Sequence, residues 1–177
     1  MKIGKTMLEV LCAHITEVPV EAVVNPANDM LWMGGGVSAL IRKVGGDTIE
    51  SEALKKAPAV VGDAVVTGAG SMKVRWIIHA VISGQDLVAT ESSIRKAMRA
   101  SLIQANAVGC SSLAIPMLTT EISHIEIHIV ARSIVEETVH YLTQENKSLN
   151  YTVFVDHDES VRDIIDRALL EIFTKHG

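Results

Sequence analysis

An α/β fold, with a largely parallel sheet covered by helices on both faces, is the class this sequence predicts. Three observations carry it. Short aliphatic runs, such as Ala22–Val24 and Leu113–Ile115, alternate with longer stretches of helical spacing, such as Glu91–Val108. Strands that alternate with helices use crossover connections, which place neighbouring strands parallel. The runs carry little polar alternation, as expected of strands buried on both faces. The third observation is the glycine triplet Gly34, Gly35 and Gly36, set between one such run and a helix.

Taken in order, Met7–Cys12 reads as the first strand and Ala22–Val24 as the second, stopped by Asn25-Pro26. Beyond the glycine turn, Val37, Leu40, Ile41 and Val44 share one face of a helix. Gly45-Gly46 ends it, and Asp47 is placed to cap a second helix that runs to about Lys56. Ala64–Thr67 and Val74–Val81 read as strands joined by a loop with Gly68, Gly70 and Ser71. A helix over Glu91–Val108 buries Ile94, Met98, Leu102 and Ala105, and Gly109 ends it. Leu113–Ile115 is a strand ended by Pro116, and a helix follows over roughly His124–Tyr141. Tyr151–Val155 is a buried strand, and Ser160 is placed to cap a last helix to about Thr174.

The composition narrows the function classes. At 177 residues and 48% hydrophobic content, the chain suits one domain over residues 1–177 with a sizeable core. Aromatic residues make up 3%, so aliphatic side chains must fill that core and stacking platforms for single strands are few. The net charge of −5 and the lack of a basic cluster argue against general nucleic-acid binding. Arg95, Lys96 and Arg99 have the spacing of a solvated helix face. Cys12 and Cys110 lie in apolar surroundings with no Cys-x-x-Cys pair, which reads as buried thiols in a reducing compartment. Met1–Val10 includes Lys2, Lys5 and Glu9, unlike a signal peptide, and no apolar stretch approaches the ~18 residues of a membrane span. A cytoplasmic location follows as the expectation, with the oligomeric state left open.

Chemistry concentrates in Asn25-Pro26-Ala27-Asn28 and Gly34-Gly35-Gly36-Val37. A helix N-terminus presents unpaired N–H groups and partial positive charge, and glycines let an anion come close. In open α/β sheets ligands bind beyond the carboxyl ends of the strands. The segment therefore reads as a phosphate or diphosphate cradle, with Asn25 and Asn28 orienting a sugar or bracing the loop. It is neither the Gly-x-x-x-x-Gly-Lys loop nor a Gly-x-Gly-x-x-Gly fingerprint. His124 and His128, four apart, would share a helix face, and such a pair can bind a transition metal, but the spacing arises often by chance and no third ligand is evident, so solvated or core-edge histidines are the better reading. No metal and no cofactor is predicted. Asp156-His157-Asp158 reads as a turn and cap.

The run Val23-Val24-Asn25-Pro26-Ala27-Asn28 followed by Gly34-Gly35-Gly36-Val37-Ser38-Ala39-Leu40-Ile41 resembles the first binding loop of the macro domain family. Gly62-Asp63-Ala64-Val65-Val66-Thr67, Ile77-Ile78-His79-Ala80-Val81 and Gly109–Pro116 match further family segments in order, so that the likeness runs from about Met7 to Ile172. The resemblance implies a three-layer α/β/α sandwich with a mixed, largely parallel central sheet. It implies binding of ADP-ribose or a related phosphorylated, nucleotide-like ligand. Asn28 would lie near the distal ribose, and Gly35, Gly36 and Val37 would present backbone to that ribose and the diphosphate. The ligand-binding set implied is Asn25, Asn28, Gly34, Gly35, Gly36, Val37, His14, Thr119, Thr120, Glu121, Ile122 and Asp156.

Four departures qualify the transfer. His14 stands where the family's adenine-binding aspartate falls, and accepts only through an unprotonated ring nitrogen. Thr119-Thr120-Glu121-Ile122-Ser123-His124 replaces a glycine-rich second loop, with Glu121 and His124 at glycine positions and Ser123 at the aromatic one. Val155 stands where an aromatic commonly stacks on adenine, and Ser38 where some hydrolytic members carry aspartate. Three functions stay open on this reading: a binding module, a hydrolase of ADP-ribosyl or phosphate esters with His14 or His124 as base, and a macro fold with a degenerate site serving as an interaction or structural subunit.

Overall fold

The computed structural model describes residues 1–120 and 122–175. In chain order the elements are β1 (Lys2–Ile3), β2 (Thr6–Cys12), β3 (Ala22–Asn28), α1 (Gly36–Gly45), α2 (Thr48–Leu54), β4 (Ala64–Gly68) and β5 (Trp76–Ser83). They continue with α3 (Glu91–Ala107), β6 (Ser112–Ile115), α4 (Ile127–Gln144), β7 (Tyr151–Asp156) and α5 (Glu159–Thr174). The strands form one seven-stranded sheet in the order β1-β2-β7-β6-β3-β5-β4. The five inner strands are mutually parallel, and β1 and β4 close the edges antiparallel, so the sheet is mixed but largely parallel.

Period-two alternation divides the strand side chains between two cores. Val24, Ile78, Ala80, Ile82, Leu113, Ile115 and Phe154 pack against α3, α4 and α5. Val23, Ile77, Ala114 and Val153 meet Ile41 of α1 and Ile49 of α2 on the other face. Three layers result, as expected. α1 is also held by backbone contact at its end. A Cβ on Gly70 would stand 2.1 Å from the carbonyl oxygen of Gly45, and Gly70 has φ +54°.

Several local expectations need correction. The strand does not stop at Asn25-Pro26. β3 runs on to Asn28, because β6 pairs with it only at Ala22 and Val23. Beyond that point β3 has a single neighbour, β5, and a proline is tolerated there as on an edge strand. Val44 is exposed, and the buried stripe of α1 is Ser38, Ile41 and Gly45. Asp47 has helical backbone angles and makes no cap; its carboxylate binds Arg42 instead. The last helix is capped by Asp158, whose side chain accepts from Ser160 N–H. α4 starts at Ile127, so His124 precedes the helix and does not share a helical face with His128. Cys110 is buried, but Cys12, the last residue of β2 near the sheet edge, is exposed. Arg95 and Arg99 reach Glu136 and Glu145 at 2.7 Å and tie α3 to α4. Among the described residues no helix is long and apolar enough to cross a membrane.

Candidate functional site

The inner strands point the same way, so their carboxyl ends gather along one edge of the sheet. A cavity of about 300 Å³ opens there. Its wall takes Asn28 from the end of β3, Ser83 from the end of β5, Met117 just beyond β6 and Asp156 from the end of β7. Gly34, Gly35, Gly36, Val37 and Ser38 form the side where α1 begins, and Thr119, Thr120 and Ile122 come from the second loop.

The start of α1 suits an anion. Gly35 occupies the N-cap in an extended conformation, with no side chain capping the helix and no acidic residue in its first turn. The first N–H groups of an α-helix have no partner within it. Here they face a cavity whose described lining includes no Lys or Arg. Gly36 has φ +57°, where a side chain is strained, and a Cβ there would meet no atom within 4 Å. Its conformation requires glycine, and the space above it is open.

The loop between β3 and α1 is braced by side chains. Asn28 Oδ1 accepts from Met30 N–H at 3.1 Å, and its Nδ2 donates to the carbonyl of Trp32 at 3.0 Å. Glu50 of α2 accepts from Met33 N–H. The Trp32 indole N–H donates to Gln85 Oε1 at 2.8 Å, and Gln85 in turn donates to Asp29 and Asn28. Behind the wall, a buried polar chain crosses three strands. Ser38 Oγ lies 2.9 Å from Asn25 Oδ1, and Asn25 Nδ2 is 3.1 Å from His79 Nδ1. Asn25 and His79 are register partners on β3 and β5. Because the amide donates to Nδ1, the ring carries its proton on Nε2 and donates to Thr67 Oγ1 at 2.9 Å. Thr67 then donates to the carbonyl of Gly68. Burial, and next the charge of Lys56, push the His79 pKa down to about 3, so the imidazole is neutral.

Hydroxyls stitch the second loop to the segment before α3. Thr120 Oγ1 donates to the carbonyl of Leu87 and accepts from Ser123 N–H at 3.1 Å. Ser123 Oγ accepts from Ala89 N–H at 3.0 Å. Ser123 thus holds two loops together. At the β7 end, Asp156 Oδ1 accepts from Asp158 N–H, and His14 stacks on His157 with ring centroids 5.3 Å apart.

Of the residues predicted for the site, Asn28, Gly34, Gly35, Gly36, Val37, Thr119, Thr120, Ile122 and Asp156 line the cavity. Asn25 stands behind its wall, fully buried, and His14 lies outside the lining on an exposed stack. Glu121 falls outside the described residues. Trp32, Ser83, Leu87 and Met117 also line the cavity and were missed. The rule that ligands sit beyond strand carboxyl ends pointed to Ser83 and Met117. No local signal marked Leu87, which adopts φ +58°.

Comparison with known proteins places this geometry. The macro domain family model matches residues 24–134. An uncharacterized protein of Aquifex aeolicus is 37% identical over 163 residues, covering 92% of this chain and 97% of its own. One from Sulfolobus acidocaldarius is 35% identical, covering 92% and 93%. The Oceanobacillus iheyensis macrodomain with ADP superposes with a TM-score of 0.86 at 25% identity, over 99% of this chain and 96% of that one. The Trypanosoma brucei macrodomain in complex with ADP-ribose gives 0.82 at 21% identity, over 92% and 68%. With the glycine turn opening α1, the mixed sheet between two helical layers and these matches together, the chain belongs to the macro domain family.

Proposed function

We propose that the cavity binds ADP-ribose or a closely related nucleoside-diphosphate sugar. The observation that carries this reading is the uncapped N-terminus of α1 facing an open cavity at the strand ends. The diphosphate is held by the N–H groups of Gly36, Val37 and Ser38 and by the helix dipole, without a lining cation. Asp156, with one carboxylate oxygen held by Asp158 N–H, offers the other to a donor such as the amino group of a base. That role falls to the β7 end because His14 is engaged with His157 outside the lining. Solved relatives with ADP and with ADP-ribose support the ligand class.

Binding is favoured over hydrolysis. Asp156 is the one ionisable side chain among the described lining residues, and neither His14 nor His124 is part of that lining. Calorimetric titration tests the reading. Saturable heat with ADP-ribose, lost in Gly36→Val, is expected. No heat at millimolar ligand in the native chain overturns it.

A further inference from the structure

Beyond the cradle, the cavity has a far end at the carboxyl terminus of β5, and one polar group there has no partner. Ser83 is 1% exposed, it lines the cavity, and its hydroxyl makes no hydrogen bond. A hydroxyl sealed from water without a partner is costly, and native structures rarely keep one without reason. The neighbouring groups are taken. Asn28 Oδ1 accepts from Met30 N–H and Gln85 Nε2, while its Nδ2 donates to Trp32. The backbone carbonyl of Ser83 accepts from Asp29 N–H at 2.9 Å, which pins the residue.

The backbone sets this hydroxyl deliberately. The β3–β5 register slips between Ala27 and Asn28, so that Asn28 pairs with Ser83 and Ile82 is passed over. Such a bulge re-aims the side chain that follows it. The lining that Ser83 shares includes the apolar side chains of Leu87, Met117 and Trp32 and, among its described residues, no Lys or Arg. An anion is therefore disfavoured at this end, and a neutral hydroxyl-bearing group is suited to it. From Asp156 on β7 to Ser83 on β5 the cavity crosses three strand spacings, about 14 Å, with the anion cradle between its ends.

We infer that Ser83 is a specificity-determining residue, whose hydroxyl binds a hydroxyl of the ligand's sugar beyond the diphosphate and so distinguishes a nucleoside-diphosphate sugar from the bare nucleoside diphosphate. The inference rests on the proposed ligand class.

The experiment is calorimetric titration of the native chain and Ser83→Ala with ADP-ribose and with ADP. The native chain is expected to bind ADP-ribose more tightly than ADP. Ser83→Ala is expected to weaken ADP-ribose about three- to tenfold, the worth of one neutral hydrogen bond, and to leave ADP within about twofold. Because the alanine removes an unpaired hydroxyl, its thermal midpoint is expected to be no lower than native. Equal loss on both ligands, or no loss on either, overturns the role of Ser83 and leaves the ligand class standing. A native chain that binds neither ligand overturns both.

Discussion

Lowering the pH from 7.5 to 5.0 removes about 2 kcal/mol of folding stability through His79. The imidazole is buried in the chain Ser38–Asn25–His79–Thr67, and burial followed by the charge of Lys56 lowers its pKa to about 3. In the unfolded chain the ordinary value is about 6.5. A depressed folded-state pKa means that the unfolded state takes the proton first. The stability is fully present above pH 6.5 and drains away as the pH falls toward 3. At pH 5.0 the unfolded state has gained RT ln(1 + 10^1.5), about 2 kcal/mol, while the folded ring stays neutral. That is a sizeable share of the roughly 5–15 kcal/mol that holds a domain together.

The assay is urea unfolding followed by tryptophan fluorescence at the two pH values, for the native chain and His79→Gln. Glutamine keeps an acceptor for Asn25 and a donor for Thr67 but does not titrate. Its stability is expected to fall about 2 kcal/mol less over the same interval. An NMR titration of the native chain gives a second check, with His79 showing no protonation down to pH 5. Identical pH slopes in the two chains, or a folded His79 titrating near 6.5, refutes the reasoning.

Two further outcomes follow from the same structure. Gly70→Ala drives a Cβ to 2.1 Å from the Gly45 carbonyl in a left-handed conformation, so a loss of more than about 3 kcal/mol is expected in urea unfolding. A loss below about 1 kcal/mol contradicts the backbone contact. With no Lys or Arg among the described lining residues, ADP-ribose affinity is expected to change less than about threefold between 50 and 500 mM salt, since the helix dipole, a partial charge, is all that salt would screen. A tenfold weakening points instead to Lys or Arg at the ligand.

Much of this was legible in the residues. The glycine triplet announced the start of α1 because only glycine adopts the φ of Gly36 without strain. The alternation of elements announced the parallel inner sheet. What escaped depended on contacts far apart in sequence. The passage of β3 through Pro26 depends on how short β6 is. Asn25, chosen as a ligand group, is claimed by His79, 54 residues away, through the β3–β5 register. His14 is drawn to His157, which only the parallel pairing of β2 with β7 brings near. The second loop is tied down through Ser123, whose hydroxyl chain to Leu87 no local pattern foretold.

A crystal structure of the chain with ADP-ribose tests the central claim most directly. The account predicts the diphosphate within hydrogen-bond distance of the backbone N–H groups of Gly36 and Val37, with the sugar extending toward Asn28 and Ser83. A ligand seated elsewhere, such as the groove between α4 and α5 beside His140 and Lys175, contradicts it.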